Sequence, residues 1–410
     1  MNFTFRHNFL LIIFVIFFTG CGAARNTHKV GFTPMMKAQE EISEDRLLDV
    51  GIQVFESEEI TEKRAKEEIT NPEIRKAEGH FIPYHLKNTL QQSSYWGAVR
   101  VLPAESNSID ILVTGKILES NGERLVLQID VTDATRKIWF SKKYESEATA
   151  AFYSGNLSGE KDAYQDLYNT IGNDMAAYRL QLPDKEVEKI RIVSKLKFAE
   201  DLVPSAYNGY LAMDKNDVIN VNRLPADEDP MMDRLLKIRE RESMYVDTLN
   251  AYYEVYYNEM RPSYDDWRKL NYQEIIALKK IKRDAAMRKL AGALLVIGAI
   301  ALDAGDVSNT GVLQTSMILV GGQVLIDGFN VSREAEIHSA AIQELSESFG
   351  SEMQPVVMEF EGKQYELTGS AEEQFKQWRE LLRQIYFTET GFDTDIPLEN
   401  EKERPAEGSE

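Results

Sequence analysis

From residue 47 to 182 the apolar positions recur with a period of two, interrupted twice by a period near 3.6. The second half of 47–55 alternates as a strand does. Asn71-Pro72 predicts a helix cap and first helical position, with the helix reaching about Ser93 and broken at Pro83, because an interior proline removes a backbone donor. Leu86 and Leu90, one turn apart, give that piece one packing face. Residues 96–103 and 109–118 are β-rich, and the Asn121-Gly122 that follows predicts a type I′ hairpin, whose two central residues need positive φ. Alternation resumes over 124–133 and 137–144. Leu167, Ile171, Met175 and Tyr178 then fall at helical spacing within 163–182, and Pro183 stops the run. The order β, α, β, β, β, β, α predicts a small mixed sheet with its helices on one face.

The second half is written in helical periods. Short patterns cover 185–202 and 205–211, and the Asp- and Asn-rich stretch 214–229 reads as a loop. Leu235, Ile238, Glu242, Tyr245, Leu249, Tyr252 and Tyr256 keep nearly a 3.5-residue repeat, the mark of a long helix that packs on another. Pro262-Ser263 is expected to end it, with Tyr264, Trp267 and Leu270 opening the next helix. Beyond the basic residues Lys279 to Lys289 come two uncharged apolar runs, Leu290–Leu302 and Val312–Ile326. Gly298, Gly305, Gly321 and Gly328 would let these two helices approach closely, so 290–328 is expected to be a packed helical hairpin, buried in the protein or at an oligomer interface. Each run is short of a membrane span: 13 residues reach only about 20 Å against a hydrocarbon core of about 30 Å. Membrane insertion helped by the basic flank is the other reading. Ser332 caps a helix to about Phe349, Val356 to Leu367 is a hairpin around Glu361-Gly362, and Ser370 with Glu373 forms a capping box for a last helix over 371–387. The expected class is α+β, with domains at 46–183 (sheet), 184–350 (helical) and 351–390 (hairpin and helix), and a disordered acidic tail at 391–410.

The first 21 residues change the setting of this fold. Behind Arg6 and His7, Phe9 to Cys21 is an uncharged apolar run, too short to span a bilayer, that ends in small residues before the only cysteine. Phe18-Thr19-Gly20-Cys21 resembles the lipobox of bacterial lipoproteins. That resemblance implies a signal peptide over 1–20, cleavage between Gly20 and Cys21, an N-acyl diacylglyceryl Cys21 as membrane anchor and a tether over 21–45. Gly22 rather than Asp after the cysteine implies outer-membrane sorting on the periplasmic face. With Cys21 lipidated no thiol is left for a disulfide, so stability rests on burial. A net charge of −20 excludes a nucleic-acid partner, whose phosphates need clustered Lys and Arg.

Little in the chain points to catalysis. His80 and His85 are five apart, where a zinc pair on one helix face needs four, and they read as partly exposed side chains. The carboxylates Asp214, Asp217, Asp227, Glu228, Asp229 and Asp233 lack the spacing of a calcium loop. No catalytic residue, metal ligand or cofactor is expected. Tyr252, Tyr253, Tyr256 and Tyr257 suggest either core packing or a platform for stacking peptidoglycan sugars.

Over 47–182 the succession of elements, with Val113-Thr114-Gly115 on one strand and Val131-Thr132-Asp133 before a turn, resembles the N-terminal domain of TolB and related domains such as that of the curli secretion lipoprotein. The whole chain resembles a group of Gram-negative envelope lipoproteins. These resemblances imply protein–protein work in the envelope: a scaffold or adaptor, with a secretion- or pore-type homo-oligomer and a peptidoglycan-directed protein as alternatives.

Overall fold

The computed structural model describes residues 27–29, 31–57, 70–154, 161–301, 337–348, 355–360 and 363–390. The signal run with Gly20 and Cys21, the apolar run 312–326, Gly305, Gly321, Gly328, Ser332, Glu361-Gly362 and the tail 391–410 lie outside the described residues. Gly298 falls within a helix whose partner in the expected hairpin is also outside them.

The chain is α+β. Its elements are β1 (Thr27–Lys29), a 3-10 turn (Glu44–Arg46), β2 (Val50–Gln53), β3 (Glu56–Ser57), α1 (Pro72–Gln92), β4 (Val99–Leu102), β5 (Ile111–Ser120), β6 (Arg124–Asp133) and β7 (Ile138–Glu147). Next come α2 (Ala150–Tyr153), α3 (Gln165–Leu180), α4 (Asp184–Leu202), α5 (Pro204–Tyr207), β8 (Leu211–Met213), β9 (Ile219–Val221) and α6 (Pro230–Ala301). A helix α7 over 337–348, β10 (Val356–Phe360), β11 (Lys363–Leu367) and α8 (Ala371–Thr390) complete it. The main sheet runs β1-β7-β6-β5-β2-β4, with β3 beside β5. β2 lies parallel to both β4 and β5, while β5, β6 and β7 form an antiparallel meander. On one face Val50, Ile52, Val101, Val113, Ile129 and Val131 are fully buried; between them Lys116, Gln128, Asp130 and Ser141 reach water. This is the alternation of a sheet with one wet face.

The buried side chains of the sheet, α1, α3, α4, α6 and α8 belong to one continuous cluster. α1 is covered from two sides, and Phe81 packs on Tyr257 and Tyr264 of α6 with ring centroids 4.5 and 4.8 Å apart. α6 also closes the sheet's β4 edge. The Asn250 amide accepts from Val101 N–H (2.8 Å) and donates to Val101 C=O (2.9 Å), and Asp247 takes the Arg100 guanidinium in a two-point contact (2.7 and 2.9 Å). Otherwise unpaired edge groups, a hazard for strand-to-strand association, are thereby satisfied within the chain.

Neither expected proline break occurs. α1 passes through Pro83, and the carbonyl that Pro83 cannot bond, that of Gly79, accepts from the Phe55 backbone N–H at 2.9 Å. Gly79 makes that approach possible, because a Cβ there would lie 2.9 Å from the Phe55 carbonyl oxygen. Alanine at Gly79 gains about 1 kcal/mol of helix propensity yet overpacks against backbone, at a cost of roughly 1 to 3 kcal/mol. A lower unfolding midpoint for Gly79→Ala in a denaturant titration is therefore expected. α6 likewise runs unbroken through Pro262. Pro262 and Asn258, whose carbonyl it frees, are both exposed, so the freed group lies on the outer side of the helix, where solvent can reach it.

Three further expectations change. Of the expected tether 21–45, residues 31–45 are not free: Asn169 and Asn173 of α3 donate to the carbonyls of Thr33 and Pro34 at 2.9 Å each, and Asn173 accepts from Met36 N–H at 2.8 Å. β1, upstream of them, pairs in parallel with β7 from Thr27↔Lys143. Within the expected loop 214–229 lies β9, which pairs with β8 just ahead of it in a hairpin whose turn is held by Asp214 accepting from Asn216 and Val218 N–H. In the β5–β6 turn only Gly122 has positive φ (80°), with the Asn121 side chain accepting from Glu123 and Arg124 N–H. Glycine as the first of two central residues marks a II′ rather than a I′ geometry.

Candidate functional site

Two places combine charge, geometry and packing in ways that bear on function. One is the joint where α6 meets the β5–β6 turn. Arg268, 1% exposed, bonds Asp162 through both terminal nitrogens (3.3 and 2.7 Å) and also reaches Asp265. Its guanidinium lies 4.4 Å from the ring centroid of Tyr264, a cation–π contact. The turn presses on the same helix. A Cβ at Gly122 would overlap the Arg268 carbonyl oxygen, Asn271 Nδ2 donates to Asn121 C=O at 2.7 Å, and Tyr153 Oη donates to Gly122 C=O at 2.6 Å. One helix turn away, Glu78 of α1 accepts from Tyr264 Oη (2.5 Å) and from Ser120 Oγ, with Arg75 Nε 3.3 Å from its carboxylate. Arg75 in turn donates to the carbonyls of Ile117 and Ser120. Among the described residues Arg75 and Arg268 each leave Nε without a hydrogen bond, but their terminal nitrogens are bonded to carbonyls and carboxylates across the contact, so the joint ties helix to sheet.

His85 completes that layer and is buried rather than partly exposed. Its ring nitrogens meet Tyr257 Oη at 2.6 Å and Gln165 Oε1 at 2.9 Å. Burial pushes its pKa below the usual 6.5, against the pull of Asp162. Burial alone would raise the Asp162 carboxyl, but the Arg268 charge and the hydrogen bonds from Arg268 and Tyr164 N–H hold it well below the ordinary carboxylate range. Above 6.5 the His85 ring is neutral folded and unfolded, and the stability of the neutral buried ring is fully present; as the pH falls below 6.5 the unfolded chain takes the proton first and stability declines. His80, also lowered chiefly by burial, acts in the same direction. Denaturant midpoints measured from pH 7 to pH 5 should therefore fall, and fall less in His85→Gln.

The second place is a cleft of 640 Å³ between the β4–β5 loop, the β6–β7 turn, α4 and the β8–β9 hairpin. Ile109, Leu112, Leu211 and Ile219 supply apolar wall; Glu105, Arg136, Lys197 and Glu200 supply charge. Asp133 builds one side by accepting from Thr135 N–H (2.9 Å), Lys137 N–H (3.3 Å) and Trp139 Nε1 (2.9 Å). The turn so formed holds Arg136 at φ 68°, a left-handed conformation that costs a non-glycine residue about 1–2 kcal/mol. Thr135 C=O accepts from Ile219 N–H at 2.8 Å and fastens the small hairpin in place. Burial, then the neighbouring Arg136 charge, lower the Lys197 pKa. Neither Arg136 nor Lys197 makes an ion pair or side-chain hydrogen bond among the described residues. Lys197 falls within the helical pattern 185–202 and Arg136 between the strand patterns 124–133 and 137–144, and no local signal marks either.

Of the other candidates, Tyr253, Tyr256 and Tyr257 are buried, with Tyr257 against Phe81 and Tyr84 and Tyr253 stacked on His80, and offer no open ring face for a sugar. Asp229 caps α6 by accepting from Met231 N–H. Among the described residues no group of three or more His, Cys, Asp or Glu could hold a metal ion, and no helix is long and apolar enough to cross a membrane. A Cβ at Gly115, the glycine of Val113-Thr114-Gly115, would overlap the Phe55 ring. Compared with protein-family models, curated proteins and solved structures, the chain matches none.

Proposed function

We propose that the chain is a non-catalytic lipoprotein, anchored through an N-acyl diacylglyceryl Cys21 to the periplasmic face of the outer membrane, that acts as a scaffold or adaptor for envelope proteins. The observation that carries this reading is the uncharged run from Phe9 into Phe18-Thr19-Gly20-Cys21, ending at the only cysteine. The fold gives the reading a shape. Among the described residues the first paired with the body is Thr27, six residue steps and at most about 20 Å of extended backbone from Cys21. Where α6 leaves the body Lys279 pairs with Glu123 at 2.5 Å, and the side chains from Lys280 to Asp284 are exposed. From Lys280 to Ala301 the helix extends about 33 Å at ~1.5 Å per residue. A short leash at one terminus and a stiff arm fixed by the Arg268 joint suit a body that presents a surface to partners.

The arm ends in the apolar sequence 290–301, and this favours a self-assembling component as the second reading. Photocrosslinkers placed at positions 280 and 283 in cells, with light scattering on protein lacking the residues before Asn26, separate the two. The adaptor reading expects crosslinks to other envelope proteins and a monomeric mass. Crosslinks only between copies, with a defined multiple of the chain mass, would put the assembly in its place.

A further inference from the structure

We propose that the cleft between the β6–β7 turn, α4 and the β8–β9 hairpin binds the free C-terminal end of an apolar peptide. Its volume, 640 Å³, falls in the range of roughly 300–1,000 Å³ used for small ligands and chain ends. The walls divide the work. Ile109, Leu112 and Ile219 offer apolar surface for a last side chain, and Arg136 and Lys197 bring two cations to the same space. A peptide carboxylate answers both cations, because a guanidinium can hold it with two hydrogen bonds and an ammonium adds a point charge.

The other charges in the cleft select among anions. Asp133 and Asp201 are engaged, the first by its own turn and the second by Arg379. Glu105 and Glu200 line the same space. They oppose a doubly charged phosphate and can accept the backbone N–H groups that a peptide brings with its single carboxylate. Apolar surface, paired cations and nearby acceptors thus match a chain end better than a phosphate or a nucleic acid. A peptide is chosen as the occupant on the adaptor reading, whereas the demand for a carboxylate rests on the cleft alone.

The test is calorimetric titration of the full mature chain in detergent with N-acetyl-Ala-Ala-Leu as free acid and as amide. The free acid is expected to bind saturably, with the amide weaker by about tenfold or more, the worth of a charge-assisted bond. Lys197→Gln and Arg136→Gly should each weaken the free acid by a similar factor. Arg136→Gly should melt no lower than the parent, because glycine relieves the left-handed backbone, so its loss of binding reports on the guanidinium and not on folding. Absence of saturable binding, equal binding of acid and amide, unaffected variants, or displacement by inorganic phosphate as effective as by the free acid would each overturn the proposal. Such a failure alongside retained crosslinks from positions 280 and 283 would remove the cleft and leave the adaptor standing; the converse would remove the adaptor alone.

Discussion

Replacing Arg268 with methionine is expected to destabilise the chain by about 3–5 kcal/mol, the usual cost of stranding a buried charge. The partner left behind is Asp162, whose side chain is 4% exposed and whose carboxylate the guanidinium holds at 2.7 Å. Asp162 has other work, since it accepts from Tyr164 N–H at 2.8 Å at the start of α3. Its ionised form is favoured in the folded state, so the stability it contributes is present above the ordinary carboxylate pKa and is lost as pH falls through the lowered folded value. Without Arg268 the same burial would favour the protonated acid, and the acid side of the stability profile should flatten. Adding Asp162→Asn to the methionine variant removes the stranded charge and should recover part of the loss. A double-mutant cycle by urea unfolding measures that coupling, and strictly additive losses would show that the two residues do not depend on each other.

Gly122→Ala is expected to lose about 3 kcal/mol from two sources, left-handed strain at φ 80° and overlap with the backbone of α6. The obstacle is the Arg268 carbonyl oxygen, which cannot swing aside as a side-chain tip could. Relief must come from withdrawing the turn from the helix, which breaks the bonds from Asn271 to Asn121 C=O and from Tyr153 to Gly122 C=O. Faster amide hydrogen exchange at the turn and around 268–272, with a lowered melting temperature, would follow. Unchanged exchange there would mean that turn and helix are not tightly coupled.

Both variants act on contacts between elements far apart in the sequence, which local patterns do not show. Local chemistry was readable: Asn71 accepts from Glu73 N–H beside Pro72, and Ser370 and Glu373 exchange bonds as a capping box does. The alternation of 124–133 became β6, and the tyrosine-bearing repeat became α6. These signals lie within one element or one turn. The prolines misled because the fate of a freed carbonyl depends on the surroundings the fold gives it, a backbone N–H from Phe55 in one case and an exposed helix face in the other. Residues 31–45 read as part of a tether because their bonds are made by Asn169 and Asn173, more than a hundred positions away. The cleft was invisible for the same reason, since Arg136, Lys197 and Ile219 meet only after the sheet, α4 and the small hairpin have packed. His85, on a helix covered from two sides, shows that a polar residue can be core when a tyrosine and a glutamine supply its bonds.

The lipid anchor is the claim on which the functional account hangs, and it can be tested without knowing any partner. Cells expressing the full chain or its Cys21→Ser variant are labelled with radioactive palmitate and separated into soluble and membrane fractions. The account predicts label on the wild-type chain in the outer-membrane fraction, and an unlabelled variant lost from that fraction. A wild-type chain without label, or a serine variant that stays in the outer membrane as fully as the parent, would contradict it.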